Sequence, residues 1–195
     1  MAERGKHRKA LVWTAARLFR RHGYAGTGLN EILAESGAPR GSLYHYFPGG
    51  KEEIGAAAVE AAGRMVTDTL AELAESADSP ADFVRRYMTM LAGWLEASSF
   101  RDGCPITTTL LETTPESDLI AAAGRTAFAD WRAVIEGLLA RHGWPPDRAE
   151  AAAAFVVAGL EGALVMARVE QSARPIETAA DALCALLETQ PLSPA

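Results

Sequence analysis

Cysteine is nearly missing from this chain. Cys104 and Cys184 are the only two in 195 residues. They stand far apart with no metal-ligand spacing around them, which excludes a disulfide framework and leaves reduced thiols. Histidine is scarce too, and beyond His45 the single one is His142. The convergent acid, base and nucleophile groups of an enzyme are therefore poorly supplied; no catalytic residue, metal ligand or cofactor is expected. Gly50-Lys51 superficially suggests a phosphate loop, but His45 occupies its first glycine position and Glu52 its Ser/Thr position. Charged residues break the apolar runs before the roughly eighteen residues that span a bilayer, so no membrane partner is expected. The charged start, Met1 to Lys9, leads into an apolar stretch that Arg17 soon ends, too short for a secretion signal. A cytoplasmic location is expected. Alternating β-branched and aromatic runs are also lacking, which argues against strands.

The charge that is present is unevenly placed. Residues 1–51 hold 9 Lys and Arg against 3 Asp and Glu, a net of +6, while residues 52–195 hold 10 against 22, a net of −12. A polyanion would be attracted to the cationic head and repelled by the acidic body, so these charges would orient an encounter with nucleic acid.

Ala, Leu, Glu and Arg fill long segments of helical period, and the fold class is all-α with about nine helices. A helix over about 6–22 carries Leu11, Ala15, Leu18 and Phe19 on one stripe and stops at Gly23. Thr27 is expected to cap a short helix that ends at Gly37, and Pro39 starts a third short helix to Phe47. Pro48-Gly49-Gly50 break the chain before a long helix from Lys51 to about Ala77. Further helices are expected over about 80–98, 105–113, 116–141, 147–171 and 177–189, with a loop over 100–104 and a frayed tail over 191–195. The spacing divides the chain into a head, residues 1–50, and a helical body, residues 51–195.

The two short helices joined by a glycine-containing turn make the arrangement that presents a second helix to a DNA major groove. Leu18, Phe19, Ile32, Leu33, Leu43 and Phe47 are expected to form the small core that fixes its angle. Arg40, Ser42, Tyr44 and His45 remain outward, where base edges and phosphates would lie. Tyr46 is expected to pack inward, and Lys6, Arg8 and Lys9 would form either a DNA-binding arm or a solvated tail.

Gly23-Tyr24, Gly26-Thr27, Glu31-Ile32-Leu33, Ser36-Gly37 and Gly41-Ser42-Leu43-Tyr44-His45-Tyr46-Phe47-Pro48 followed by Lys51-Glu52-Glu53 resemble the DNA-binding domain of the TetR repressor family. The resemblance covers roughly residues 6–54. It implies a homodimer that binds a palindromic operator in double-stranded DNA, with a carboxy-terminal domain that binds an unknown small-molecule inducer and dimerises. Thr27, Arg40, Gly41, Ser42, Tyr44, His45 and Lys51 match the positions that usually touch DNA. Gly28 and Asn30 depart from the commoner pattern, and Thr27-Gly28-Leu29-Asn30 with Pro48-Gly49-Gly50-Lys51 and Gly103-Cys104-Pro105 resembles one subgroup of that family.

In the body, Trp94, Phe100, Thr107, Phe128, Trp131, Phe155 and Met166 could line an inducer pocket or serve as plain core. Glu112 shares a helical face with Cys104, Thr108 and Leu111 and is either a polar point in that chamber or a solvated acid. Phe155, Val156, Gly159, Leu160 and Ala163, joined by Leu183 and Leu187, would make a two-fold seam or an intramolecular bundle face. The expected mechanism has inducer change the angle of the helix that starts at Lys51. Rival readings are an all-α enzyme and a protein-interaction module whose basic head binds an acidic partner without an operator.

Overall fold

The computed structural model describes residues 2–189; the expected tail at 191–195 lies outside them. Among the described residues the chain is all-α, with nine helices: α1 Ala2–His22, α2 Leu29–Ser36, α3 Arg40–Tyr46, α4 Lys51–Ser76, α5 Pro80–Ala97, α6 Thr107–Thr113, α7 Asp118–Arg141, α8 Pro146–Glu170 and α9 Arg174–Glu188. The largest boundary difference is at α1, which begins four residues before the expected start and makes Lys6, Arg8 and Lys9 part of a helix. Arg8 lies over the Phe47 ring, 5.5 Å from its centroid, so this basic segment is held on the head.

By packing, the chain forms two compact units that do not follow the sequence boundary at 50/51. One comprises residues 1–65 and 104–127, the other 66–103 and 128–195. In the first unit, Leu11, Ala15, Leu18 and Phe19 of α1 enclose a core with Ile32, Leu43, Phe47 and Ile54. Leu33 and Tyr46 pack against its edge, as expected. Gly37 ends α2 in the left-handed conformation, φ 64°, which spares a side chain the strain that position would impose. Thr27, expected as the cap of α2, does not serve as one. Gly28 is the residue before α2, and its N–H donates to the Glu31 carboxylate at 3.4 Å. The Thr27 hydroxyl instead donates to the Gly23 carbonyl at 2.8 Å.

In the second unit α9 packs against α5 and α8. Ser79 caps α5 by accepting from the Asp82 N–H at 3.1 Å, with Pro80 in the first turn where a missing N–H costs nothing. Phe83, Met88, Val156, Leu160, Leu183 and Leu187 lie in this core. The helix α8 is long and apolar enough, by length and composition, to cross a membrane, contrary to the expectation that charge interrupts every such run. Glu161 falls within it, and part of the helix is buried in the unit, as the core helix of a globular chain would be.

Candidate nucleic-acid interface

The amino-terminal end of α3 stands clear of the core that holds it. Leu43 is fully buried and Phe47 nearly so, which anchors one side of α3. On the other side Arg40, Gly41 and His45 are exposed, Ser42 is half-buried, and Tyr44 is 60% exposed. An exposed tyrosine presents an apolar ring and a hydroxyl together, a combination suited to a sugar-phosphate backbone. Arg40 adds a planar fork of donors that matches phosphate or a guanine edge. The ring of His45 meets that of Tyr46 edge-on, with centroids 4.9 Å apart, which steadies it from below. Two ion pairs brace α1 against α2: Arg17 with Glu35, and His22 with Glu31 at 3.4 Å when the histidine is protonated.

Two of the expected DNA contacts are differently placed. Thr27 is 0% exposed and spends its hydroxyl on the Gly23 carbonyl, so its side chain reaches no surface. The side chain of Lys51 is half-buried against the α1–α2 turn. Its ammonium lies 4.5 Å from the centre of the Tyr24 ring and donates to the Ala25 carbonyl at 3.5 Å. Burial pushes the Lys51 pKa below its ordinary value, while the charge of Glu112 opposes the shift. Burial also raises the Tyr24 pKa, and Glu52 adds to the rise, so that hydroxyl stays protonated beyond its ordinary range.

Glu112, expected either in a ligand chamber or as a solvated acid, is exposed and reaches the same turn from α6. Its carboxylate accepts from the Ala25 N–H at 2.6 Å, across 87 residues of sequence. Gly23, at φ 82°, passes so close that a Cβ there would collide with the Glu112 carboxylate. A second bridge joins the same segment to α4, where the Ser117 hydroxyl donates to Glu52 at 2.5 Å. Sequence reasoning missed Tyr24 and Ala25 as members of this cluster. The motif's Gly-Tyr step was the available signal.

The other expected ligand residues do not gather in one unit. Cys104, Thr107, Thr108 and Glu112 belong to the first, while Trp94, Phe100, Phe128, Trp131, Phe155 and Met166 belong to the second. Thr108 spends its hydroxyl on the Cys104 carbonyl at 2.7 Å. A small cleft in the second unit is lined by Leu70, Tyr87, Leu91, Trp131, Val157, Leu160, Glu161 and Leu164. Trp131 is the one expected ligand residue on it; Phe128 meets Trp131 edge-on with centroids 5.3 Å apart, and Trp94, Phe155 and Met166 are exposed.

The expected seam divides in the same way. Val156, Leu160, Ala163, Leu183 and Leu187 are buried inside the second unit and therefore form its intramolecular face, which corrects their assignment to a dimer contact. Gly159 belongs with them, because a Cβ there would stand 3.3 Å from the side chain of Leu183. Phe155 points outward, and with Gly162, Val165, Met166 and Val169 it continues an exposed apolar stripe along α8. The last two turns of that stripe are the part sequence reasoning missed.

Comparison with known proteins gives the same picture. Residues 11–58 match the family described as bacterial regulatory proteins, tetR family, and residues 80–182 match the transcriptional regulator LmrA/YxaF-like C-terminal domain. The chain is similar to the HTH-type transcriptional regulator LmrA of Bacillus subtilis (strain 168), 33% identical over 172 residues, covering 88% of this chain and 92% of that protein. It is similar to the HTH-type transcriptional repressor DhaR of Mycobacterium sp. (strain GP1), 27% identical over 178 residues, covering 87% and 86%. A solved TetR transcriptional regulator from Chloroflexus aurantiacus J-10-FL superposes with a TM-score of 0.81 at 28% identity, covering 97% of this chain and 98% of that one.

Proposed function

Because the chain belongs to the TetR family of bacterial transcriptional regulators, we propose that it represses its target genes as a homodimer on a palindromic operator and is released by a small-molecule inducer. The observation that carries this reading is the exposed end of α3, where Arg40, Gly41, Tyr44 and His45 stand free above the buried Leu43 and Phe47. The cationic head around it supplies the phosphate attraction, and the family makes the chain a regulator and not an enzyme. Cytoplasmic action follows from a DNA partner.

The exposed stripe of α8 supports self-association, since a second copy placed on a two-fold axis would cover it with the same stripe. Two-fold symmetry in turn matches two operator half-sites. The cleft beside Leu70 and Trp131 has room for no more than a water molecule as it stands, so an apolar inducer bound there would have to open it. Leu70 lies on α4, whose first residue, Lys51, holds the α1–α2 turn, so one helix joins the two sites. Inducer must bind the DNA-incompetent state better, and by linkage operator must weaken inducer binding by the same factor.

Selection of random duplex DNA by the purified protein tests the reading. An enriched palindrome that Tyr44→Ala no longer selects is the expected result. Absence of enrichment at low salt would transfer the basic head to an acidic protein partner.

A further inference from the structure

We propose that Glu112 is a positioning residue for DNA reading: its carboxylate, with the Lys51 ammonium opposite, fixes the Ala25 peptide and thereby the turn from which α2 and α3 are set. This role rests on the reading of the head as an operator-binding unit.

Ala25 is gripped at both of its backbone polar groups by opposite charges. Its N–H donates to Glu112 at 2.6 Å, and its carbonyl accepts from Lys51 at 3.5 Å. The polarity is the productive one, an anion on the donor and a cation on the acceptor, and such charge-assisted bonds are the strong ones. The lysine is further seated over the Tyr24 ring, and Tyr24 in turn packs on Phe19 of α1 with ring centroids 5.1 Å apart. The grip therefore reaches from the turn into the core that anchors α3.

The neighbouring backbone is fitted to the carboxylate. Gly23 adopts φ 82°, where a side chain would be strained, and the Glu112 carboxylate lies in the space a Cβ would take. Thr27 then ties the far end of the turn to the Gly23 carbonyl. Glu112 lies on the segment 104–127, which packs with the head while the chain on either side of it belongs to the other unit. A displacement of α6 would consequently change the hold on Ala25, which gives the body a second route to the head besides α4.

The test compares wild type, Glu112→Ala and Glu112→Gln on an operator enriched by the wild-type chain, with thermal midpoint and hydrogen exchange of the Ala25 amide measured alongside. Glu112→Ala is expected to bind operator at least about tenfold more weakly and to exchange the Ala25 amide about tenfold faster, because a charge-assisted bond is lost. Its thermal midpoint should stay within about 2 °C of wild type, since the carboxylate is on the surface. Glu112→Gln should recover affinity to within about threefold, because its carboxamide oxygen still accepts from the amide. A purely structural role would lower the midpoint and bind in proportion to the folded fraction, which overturns the proposal. So would Glu112→Ala that binds as wild type does. If the wild-type chain enriches no operator at all, the reading of the head and this role fail together.

Discussion

If the exposed stripe of α8 is the two-fold seam proposed above, replacing Phe155 with alanine should split the proposed dimer and leave each protomer folded. The ring is 58% exposed on α8 and lies in the apolar stripe that continues through Met166 and Val169. Full burial of a Phe side chain is worth about 1.5–3 kcal/mol, so covering the 58% that is open yields about 0.9–1.7 kcal/mol per protomer. A two-fold axis counts that contribution twice, which makes about 1.7–3.5 kcal/mol and a dimer weaker by roughly twenty- to three-hundredfold at about 1.4 kcal/mol per decade. Sedimentation equilibrium over a concentration series reads the change directly, with thermal unfolding of the monomer as the control. The adjacent Val156→Ala should do the reverse. Val156 is fully buried inside the second unit, so its truncation should lower stability by roughly 1–3 kcal/mol and leave the association of the folded chains nearly unchanged. Dissociation constants within about threefold of wild type for Phe155→Ala would refute the reasoning, because a covered ring cannot be removed without losing its area.

Arg40→Ala should weaken operator binding by about 1–3 kcal/mol and random duplex binding much less; equal losses on both would refute a base-reading role for it. Gly41→Ala should move stability and function in opposite directions. A Cβ there meets nothing within 4 Å, so the helix should gain up to about 1 kcal/mol in denaturant titration. The added methyl stands on the side proposed to face DNA and should cost roughly tenfold in operator affinity, by the expense of an imperfect contact; unchanged affinity would place the DNA elsewhere. For Cys184, burial pushes the thiol pKa up, and its S–H donates to the Ala81 carbonyl at 3.3 Å. Between the unfolded thiol's value, about 8.5, and the raised folded one, the unfolded chain has lost a proton that the native chain keeps, so stability should fall as pH rises through that window. Denaturant titrations of wild type and Cys184→Ser from neutral to alkaline pH check this, and a difference between them that does not change with pH would exclude it.

The head was legible because its signals are local. Helical stripes in α1, the glycine after α2 and the proline before α3 each act within a turn of where they stand, and Leu18, Phe19, Ile32, Leu43 and Phe47 meet where those turns direct them. Thr27 shows the limit of that reasoning. A threonine before a short helix has two ways to satisfy its hydroxyl, toward the helix ahead or toward the carbonyl four residues behind, and composition does not choose between them. Here the second bond, to Gly23, leaves Gly28 as the cap and buries the side chain.

The body was less legible for a different reason. Along α8 apolar residues occur on every side, so period alone identifies no inward face: Phe155 and Val156 are neighbours of similar hydropathy, and one is exposed while the other is fully buried. The choice is made by α9, whose Leu183 lies where Gly159 leaves room for it, and that pairing is tertiary. The Glu112–Ala25 bond is more distant still, joining positions 87 residues apart through a backbone amide that any residue but proline would supply. Nothing in the residue type at position 25 could announce it. What makes the contact specific is the pair of side chains around it, an acid on α6 and a lysine at the start of α4, and exchanging only one of their charges should therefore loosen the turn that their opposition holds.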